Sequence, residues 1–152
     1  MTDNIAGCPL TRGRKILVAV DGSKNADQAV DQAISLGGVC NSQIYALSVA
    51  EVIPEYLAEA PQLFERKEKE AREIAQKACE KIQKAGLACE ALSHFNEQPA
   101  EVILKEAKDK EIDLIVMGTH GRSFLARLLL GSVAQRVIAH APCPVMVIPV
   151  TA

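Results

Sequence analysis

The chain has 152 residues, 49% of them hydrophobic and 24% charged, with 17 Lys plus Arg against 19 Asp plus Glu for a formal net charge of −2. That is the size and make-up of one globular domain; its field is too weak to make nucleic acid the main partner, and its apolar runs fall far short of the roughly 20 residues of a membrane helix. Residues 15–150 read as a single domain behind a flexible leader over 1–14, whose Asp, Asn, Gly and Pro content lacks a signal-peptide core and implies a cytoplasmic protein.

Lys15 to Val20 is a short apolar, β-branched run ending at Asp21-Gly22-Ser23, the pattern of a buried strand meeting a turn. From Asn25 onward Ala26, Ala29, Val30, Ala33 and Ile34 recur at helical spacing, and Gly37-Gly38 is the expected stop. Gln43 to Val49 is a second strand, followed by a loop or short helical insertion broken by Pro54 and Pro61. A charged helix is expected from about Leu63 to Ala85, with Ala71, Ile74, Ala75, Ala78 and Ile82 as its inner stripe and Gly86 closing it.

Leu87 to Phe95 forms the third strand, and Pro99 opens a helix with Ala100, Ile103, Leu104 and Ala107 inward. Asp113 to Met117 is the fourth strand, Ser132 to His140 a helix turning Val133, Val137 and Ile138 inward, and Val145 to Ile148 the fifth strand, bracketed by Pro144 and Pro149. Strands that alternate with helices and are apolar on both faces imply an α/β fold, an open five-stranded parallel sheet with helices on both faces. Ligands of such sheets sit at the carboxyl ends of the strands where the strand order reverses. The first and fourth strands both end in polar turns containing glycine, so they are expected to flank that point.

Cys8, Cys40, Cys79, Cys89 and Cys143 form no CxxC pair, and free, mostly buried thiols are expected, with Cys8 exposed in the leader and open to oxidation. His94, His120 and His140 are too scattered to argue for a metal site.

The chemistry concentrates in MGTHGRSFLARLLLGSVAQR, which begins at Met117. Gly118 and Gly121 let the backbone turn and bring its N–H groups to an anion without a Cβ in the way. Gly131 and Ser132 open the last helix, whose unpaired N–H groups and dipole favour negative charge. Together they make a phosphate cradle without a lysine. Neither the Walker A pattern nor GxGxxG is present.

The pattern GxxG, nine residues, then GS resembles that of the ATP-binding branch of the universal stress proteins. KILVAVDGS, DLIVMGTHGR and GSVAQRVIAHAPCPVMVIPV are similar to the same family, over about Lys15 to Val150. The resemblance implies a Rossmann-like sheet of the adenine nucleotide alpha hydrolase kind, with strand order 3-2-1-4-5. It also implies that Ala19, Val20 and Asp21 approach base and ribose, that Val49 offers backbone contacts to adenine, and that Met117, Gly118, Gly121 and Arg122 line the ribose and phosphate side. Gly131, Ser132 and Val133 would hold phosphates of ATP, ADP or AMP, possible Mg2+ included.

A homodimer paired through the last strands is implied as well. Asp21 also fits plain turn chemistry, Arg127 is a weaker phosphate candidate than Arg122, and His120 lacks an identifiable carboxylate partner for a catalytic role. No catalytic set is legible, so a nucleotide-dependent sensor or switch in stress response is the leading expectation. A slow ATPase or autophosphorylating enzyme, with Ser132 or Thr119 as acceptor, is the alternative. A receiver domain is set aside because the third strand ends in Ser93-His94-Phe95 rather than an acceptor Asp.

Overall fold

The computed structural model describes residues 6–96, 98–121 and 130–150. Its elements are β1 (Lys15–Ala19), α1 (Lys24–Cys40), β2 (Gln43–Glu51), α2 (Pro54–Leu57), α3 (Pro61–Lys84), β3 (Cys89–Asn96), α4 (Pro99–Asp109), β4 (Leu114–Gly118), α5 (Ser132–His140) and β5 (Val145–Ile148). The strands form one sheet in the order β3-β2-β1-β4-β5, and every pair is parallel. This is the expected α/β architecture and order. Among the described residues no helix is long and apolar enough to cross a membrane.

Because successive strand side chains point to opposite faces, β1 feeds two cores. Ile16, Val18 and Val20 meet Ala26, Ala29, Val30 and Ala33 of α1 and Cys79 and Ile82 of α3 on one face. Leu17 meets Ala100, Ile103 and Ala107 of α4 and Ala134 and Val137 of α5 on the other. Ile16, Leu17 and Val18 are fully buried, as a central parallel strand covered on both faces requires.

α1 runs through the glycines expected to stop it. A Cβ at Gly37 would lie 2.9 Å from Ile44 Cδ1, so this glycine serves close helix–sheet packing rather than termination. The helix stops at Asn41, whose φ of 52° is left-handed and whose N–H donates to the Gly37 carbonyl; asparagine tolerates that region better than most residues. β2 extends past the expected Val49 to Glu51, because its partner β3 continues beside it, Ala50 opposite Phe95. Pro61, at the first turn of α3, starts that helix earlier than Leu63. Ile138, expected inward, is 47% exposed, since α5 buries Ala134 and Val137 and Ile138 sits one residue off that stripe.

The cysteine expectation needs the larger correction. Cys8 and Cys40 form a disulfide, Leu10 packs against the core face that holds α1 and Gly13 is buried, so the expected loose leader is held to the domain at these three residues. Proximity at the end of α1 explains the pairing, and neither sequence spacing nor composition reveals it. Cys79, Cys89 and Cys143 are free. Burial pushes the Cys89 thiol up, reinforced by Cys79 beside it, and burial likewise raises Cys143, so both are held as neutral thiols.

Lys81 of α3 bridges Asp31 and Asp27 of α1 at 2.8 and 2.9 Å. The hydrogen bond to Asp31 raises its pKa most, against desolvation, with Asp27 adding to the rise. A raised lysine pKa contributes stability that is complete below the unfolded value of ~10.4 and is lost as pH climbs through the folded one. Both partners are well exposed, so Lys81→Met is expected to cost less than about 1 kcal/mol at neutral pH. Urea melts of the two proteins should converge as pH rises above that window.

Candidate functional site

β1 sends its chain to β2 on one side, while β4 and β5 lie on the other, so the crevice opens at the carboxyl ends of β1 and β4. Two turns build its floor. After β1, Asp21 Oδ1 accepts the Ser23 N–H at 2.9 Å, Gly22 takes a φ of 83°, and the Ser23 hydroxyl caps α1 by accepting the Ala26 N–H at 3.1 Å. Asp21 thus performs the turn role open to it from sequence while remaining part of the cavity wall.

After β4 the chain is fixed by a buried amide. Asn25, 6% exposed, donates from Nδ2 to the Ile148 carbonyl at 3.0 Å and accepts at Oδ1 from the His120 N–H at 3.1 Å and more weakly from the Thr119 hydroxyl at 3.4 Å. The Thr119 N–H reaches the same Ile148 carbonyl at 3.0 Å. One side chain therefore joins the start of α1, the turn after β4 and the end of β5. A Cβ at Gly118 would overlap Asn25 Oδ1, and one at Gly121 would lie 2.7 Å from Asp21 Oδ2. Both glycines are required by close approach rather than by backbone dihedral.

Gly131 completes the cradle. Its N–H donates to the Thr119 carbonyl at 2.7 Å, and it caps α5 with no side-chain cap bond and no acidic residue in the first turn. The opening N–H groups of α5 have no intrahelical acceptor, and the helix dipole adds positive potential at the same place. The turn after β4 and the first turn of α5 face one cavity of about 560 Å³, within the usual range for a small-molecule site.

Ala19, Val20, Asp21, Val49, Met117, Gly118, Gly121, Gly131, Ser132 and Val133 all line that cavity. Arg122 and Arg127 lie outside the described residues. The sequence reading missed Asn25, which looks like an ordinary polar residue in the first turn of a helix; its only signal is its place directly before the buried stripe of α1. The far wall was also missed. Lys67, Glu70, Ala71 and Ile74 of α3 close the cavity opposite β4, and Lys67 Nζ reaches the Glu51 carbonyl at 3.3 Å, tying that wall to the end of β2. Ala71 and Ile74 were legible as an inner stripe, but nothing in the pattern distinguishes facing a core from facing a cavity.

Thr119 Oγ1 and His120 Nδ1 stand 3.0 Å apart at the cavity. Among the described residues no group of three or more His, Cys, Asp or Glu side chains is arranged to hold a metal ion.

The model of the universal stress protein family matches residues 13–149. The chain is 36% identical over 138 residues to universal stress protein MJ0531 of Methanocaldococcus jannaschii, covering 89% of this chain and 81% of that one. Among solved structures it superposes on universal stress protein UspA from Lactobacillus plantarum with a TM-score of 0.79 at 27% identity, over 90% of this chain and 98% of that one. The universal stress protein from Archaeoglobus fulgidus in complex with dAMP has a TM-score of 0.68 at 23% identity, over 90% and 98% of the two chains, and shows the shared fold. With a family match spanning nearly the whole domain, and a glycine-lined crevice at the strand-order switch of the expected sheet, the chain belongs to the universal stress protein family.

Proposed function

We propose that the cavity binds an adenine nucleotide, ATP or its relatives ADP and AMP, and that the protein acts as a nucleotide-dependent sensor or switch in stress response. The observation that carries this reading is the convergence of the Gly118–Gly121 turn and the uncapped N-terminus of α5 on one cavity. The residues fit the group. Gly118, Gly121 and Gly131 keep Cβ atoms out of the floor, the first turn of α5 suits phosphate, and apolar Val49, Ala71, Ile74 and Ile103 offer a surface for a base. The relative solved with dAMP supports an adenine nucleotide as the ligand class. Mg2+ would bind chiefly through the phosphates, as its reluctance to lose water favours.

The direct experiment denatures the purified protein, identifies released small molecules, and titrates the stripped protein with ATP, AMP and GTP, each with and without Mg2+. Adenine nucleotides should bind in preference to GTP. A ligand at 100 times its Kd should stabilise the native state by about 2.7 kcal/mol, a rise in Tm of roughly 5–10 °C for a chain of this size. Unchanged melting in well-folded protein would sink the reading.

The alternative, slow ATP hydrolysis or autophosphorylation, draws support from the Thr119 hydroxyl beside the His120 imidazole, a nucleophile and base within hydrogen-bond reach. Multiple-turnover phosphate release, or phosphate retained on Thr119, would favour it over a binding switch.

The same proposal includes a homodimer through β5, in a cytoplasmic protein. β5 ends the sheet in the monomer, its four apolar residues are only half-buried, and Val150 two residues beyond is 47% exposed, an apolar edge of the kind that recruits a second strand. Light scattering at micromolar concentration should give twice the monomer mass, and a monomer would remove this part of the proposal.

A further inference from the structure

We propose that Cys8 and Cys40 form a thiol–disulfide exchange site that clamps the N-terminal segment onto the end of α1, with a low-molecular-weight thiol of the glutathione class as its redox partner. The site lies at the end of α1 remote from the Ser23 cap, and it has no part in the nucleotide reading.

The two sulfurs differ in access. Cys40 is 0% exposed, whereas Cys8 is half-buried. Gly13 packs directly over the bridge, where a Cβ would lie 3.0 Å from Cys8 Sγ and 3.1 Å from Cys40 Sγ. From Gly13 onward the chain is held without the bridge: the buried Ser42 hydroxyl donates to the Gly13 carbonyl, the Gln43 N–H donates to the Arg14 carbonyl at 2.7 Å, and the Arg14 and Lys15 N–H groups donate to Asp113 Oδ2. Upstream, docking rests on Leu10 against the core, Gly7 near Val39 and the bridge itself. Opening the bridge therefore frees residues 6–12 while β1 stays in the sheet.

The chemistry follows from the asymmetry. A glutathione thiolate attacks Cys8 Sγ, the accessible sulfur. The bridge breaks, its electron pair goes to Cys40 Sγ, and Cys40 takes up a proton. A second glutathione thiolate attacks the glutathione sulfur of the mixed disulfide and releases glutathione disulfide and the Cys8 thiol. In sum the bridge plus two glutathiones yields two protein thiols and one glutathione disulfide, and the reverse reaction closes the clamp with Cys40 as the resolving thiol. Cys40 is the last residue of α1 and fully buried, so an external thiol has only the Cys8 sulfur to attack. With one of the two sulfurs closed to attack, opening by a monothiol is slow.

The test uses the full chain equilibrated in glutathione buffers from oxidised to reduced, then acid-quenched, alkylated in denaturant and quantified by peptide mass spectrometry, with backbone order parameters measured by NMR on 15N-labelled protein in the same buffers. Cys8 and Cys40 should become alkylatable together as the buffer turns reducing, while Cys79, Cys89 and Cys143 remain thiols throughout. Order parameters of residues 6–12 should fall below about 0.6 in the reduced protein and stay above that in the oxidised one. Cys8→Ser, a change in the peripheral segment, should show the low values at every ratio, and Cys40→Ser should collect glutathione on Cys8. Finding both thiols free in the oxidised buffer, or identical order parameters for residues 6–12 at both extremes, would overturn the proposal.

Discussion

Gly131→Trp is expected to fold and to weaken adenine-nucleotide binding by about 100-fold or more, equivalent to about 2.7 kcal/mol. Gly131 has φ −67° and ψ 158°, dihedrals any residue adopts, so the backbone itself is not strained by a side chain. Space is the constraint. A Cβ there would lie 2.9 Å from the Thr119 carbonyl oxygen, a backbone atom that is itself held by the Gly131 N–H at 2.7 Å. The cap must shift, and an indole at this position occupies the floor against which phosphate would rest. Overpacking of this kind costs roughly 1–3 kcal/mol of stability, so calorimetry should be run below the melting range of the variant. Gly131→Ala should lie between wild type and the tryptophan variant in affinity, because it shares the cap displacement without the bulk. Equal affinity in all three proteins would place the phosphate elsewhere.

Asn25→Ala should be among the most damaging substitutions of a polar residue, lowering stability by roughly 2–4 kcal/mol. The reason is not the loss of one bond. Removing the amide strips partners from the His120 N–H and weakens the hold on the Ile148 carbonyl, and buried groups left without partners carry the full cost of desolvation. On a domain of this length that corresponds to a fall in Tm of roughly 5–15 °C. A second readout separates this residue from an ordinary core position. Asn25 holds the turn after β4, so the variant should also bind nucleotide more weakly at temperatures where it is fully folded. Ile82→Ala, buried in α3 away from the cradle, should match it in lost stability and leave affinity unchanged. If both variants behave alike in binding, the role assigned to Asn25 fails.

Legibility from sequence tracked the range of the interactions involved. Local chemistry was readable: the strand Lys15–Ala19, the turn at Asp21-Gly22-Ser23, the closing Gly86 with its φ of 85° and the Pro99 start of α4 each follow from a few neighbouring residues. The parallel sheet followed from apolar strands alternating with helices, and its strand order from the resemblance to a known family. What escaped reading depends on contacts across the chain. Gly37 looks like a helix stop until Ile44 is seen against it. Cys8 looks like a loose thiol until Cys40 is seen beside it. Asn25 and the α3 wall of the cavity belong to the same class, since nothing within a helix says that its polar first turn will anchor two other strands. The glycines of the cradle were legible because their spacing is local, but the reason for Gly118 was not: it makes room for Asn25, ninety-odd residues earlier in the chain.

The bond from the Gly131 N–H to the Thr119 carbonyl decides how well the chain would tolerate added length at this point. It brings together, within a single hydrogen bond, the points where the backbone leaves the turn after β4 and where it enters α5. Whatever joins Gly121 to Leu130 is therefore a closed excursion whose ends are already fixed by other parts of the fold. Doubling the length of such an excursion adds only about 0.6 kcal/mol of closure entropy. A glycine–serine insertion between Gly121 and Leu130 is therefore expected to leave the melting temperature within a few degrees of wild type, with the frame that presents the glycines unmoved.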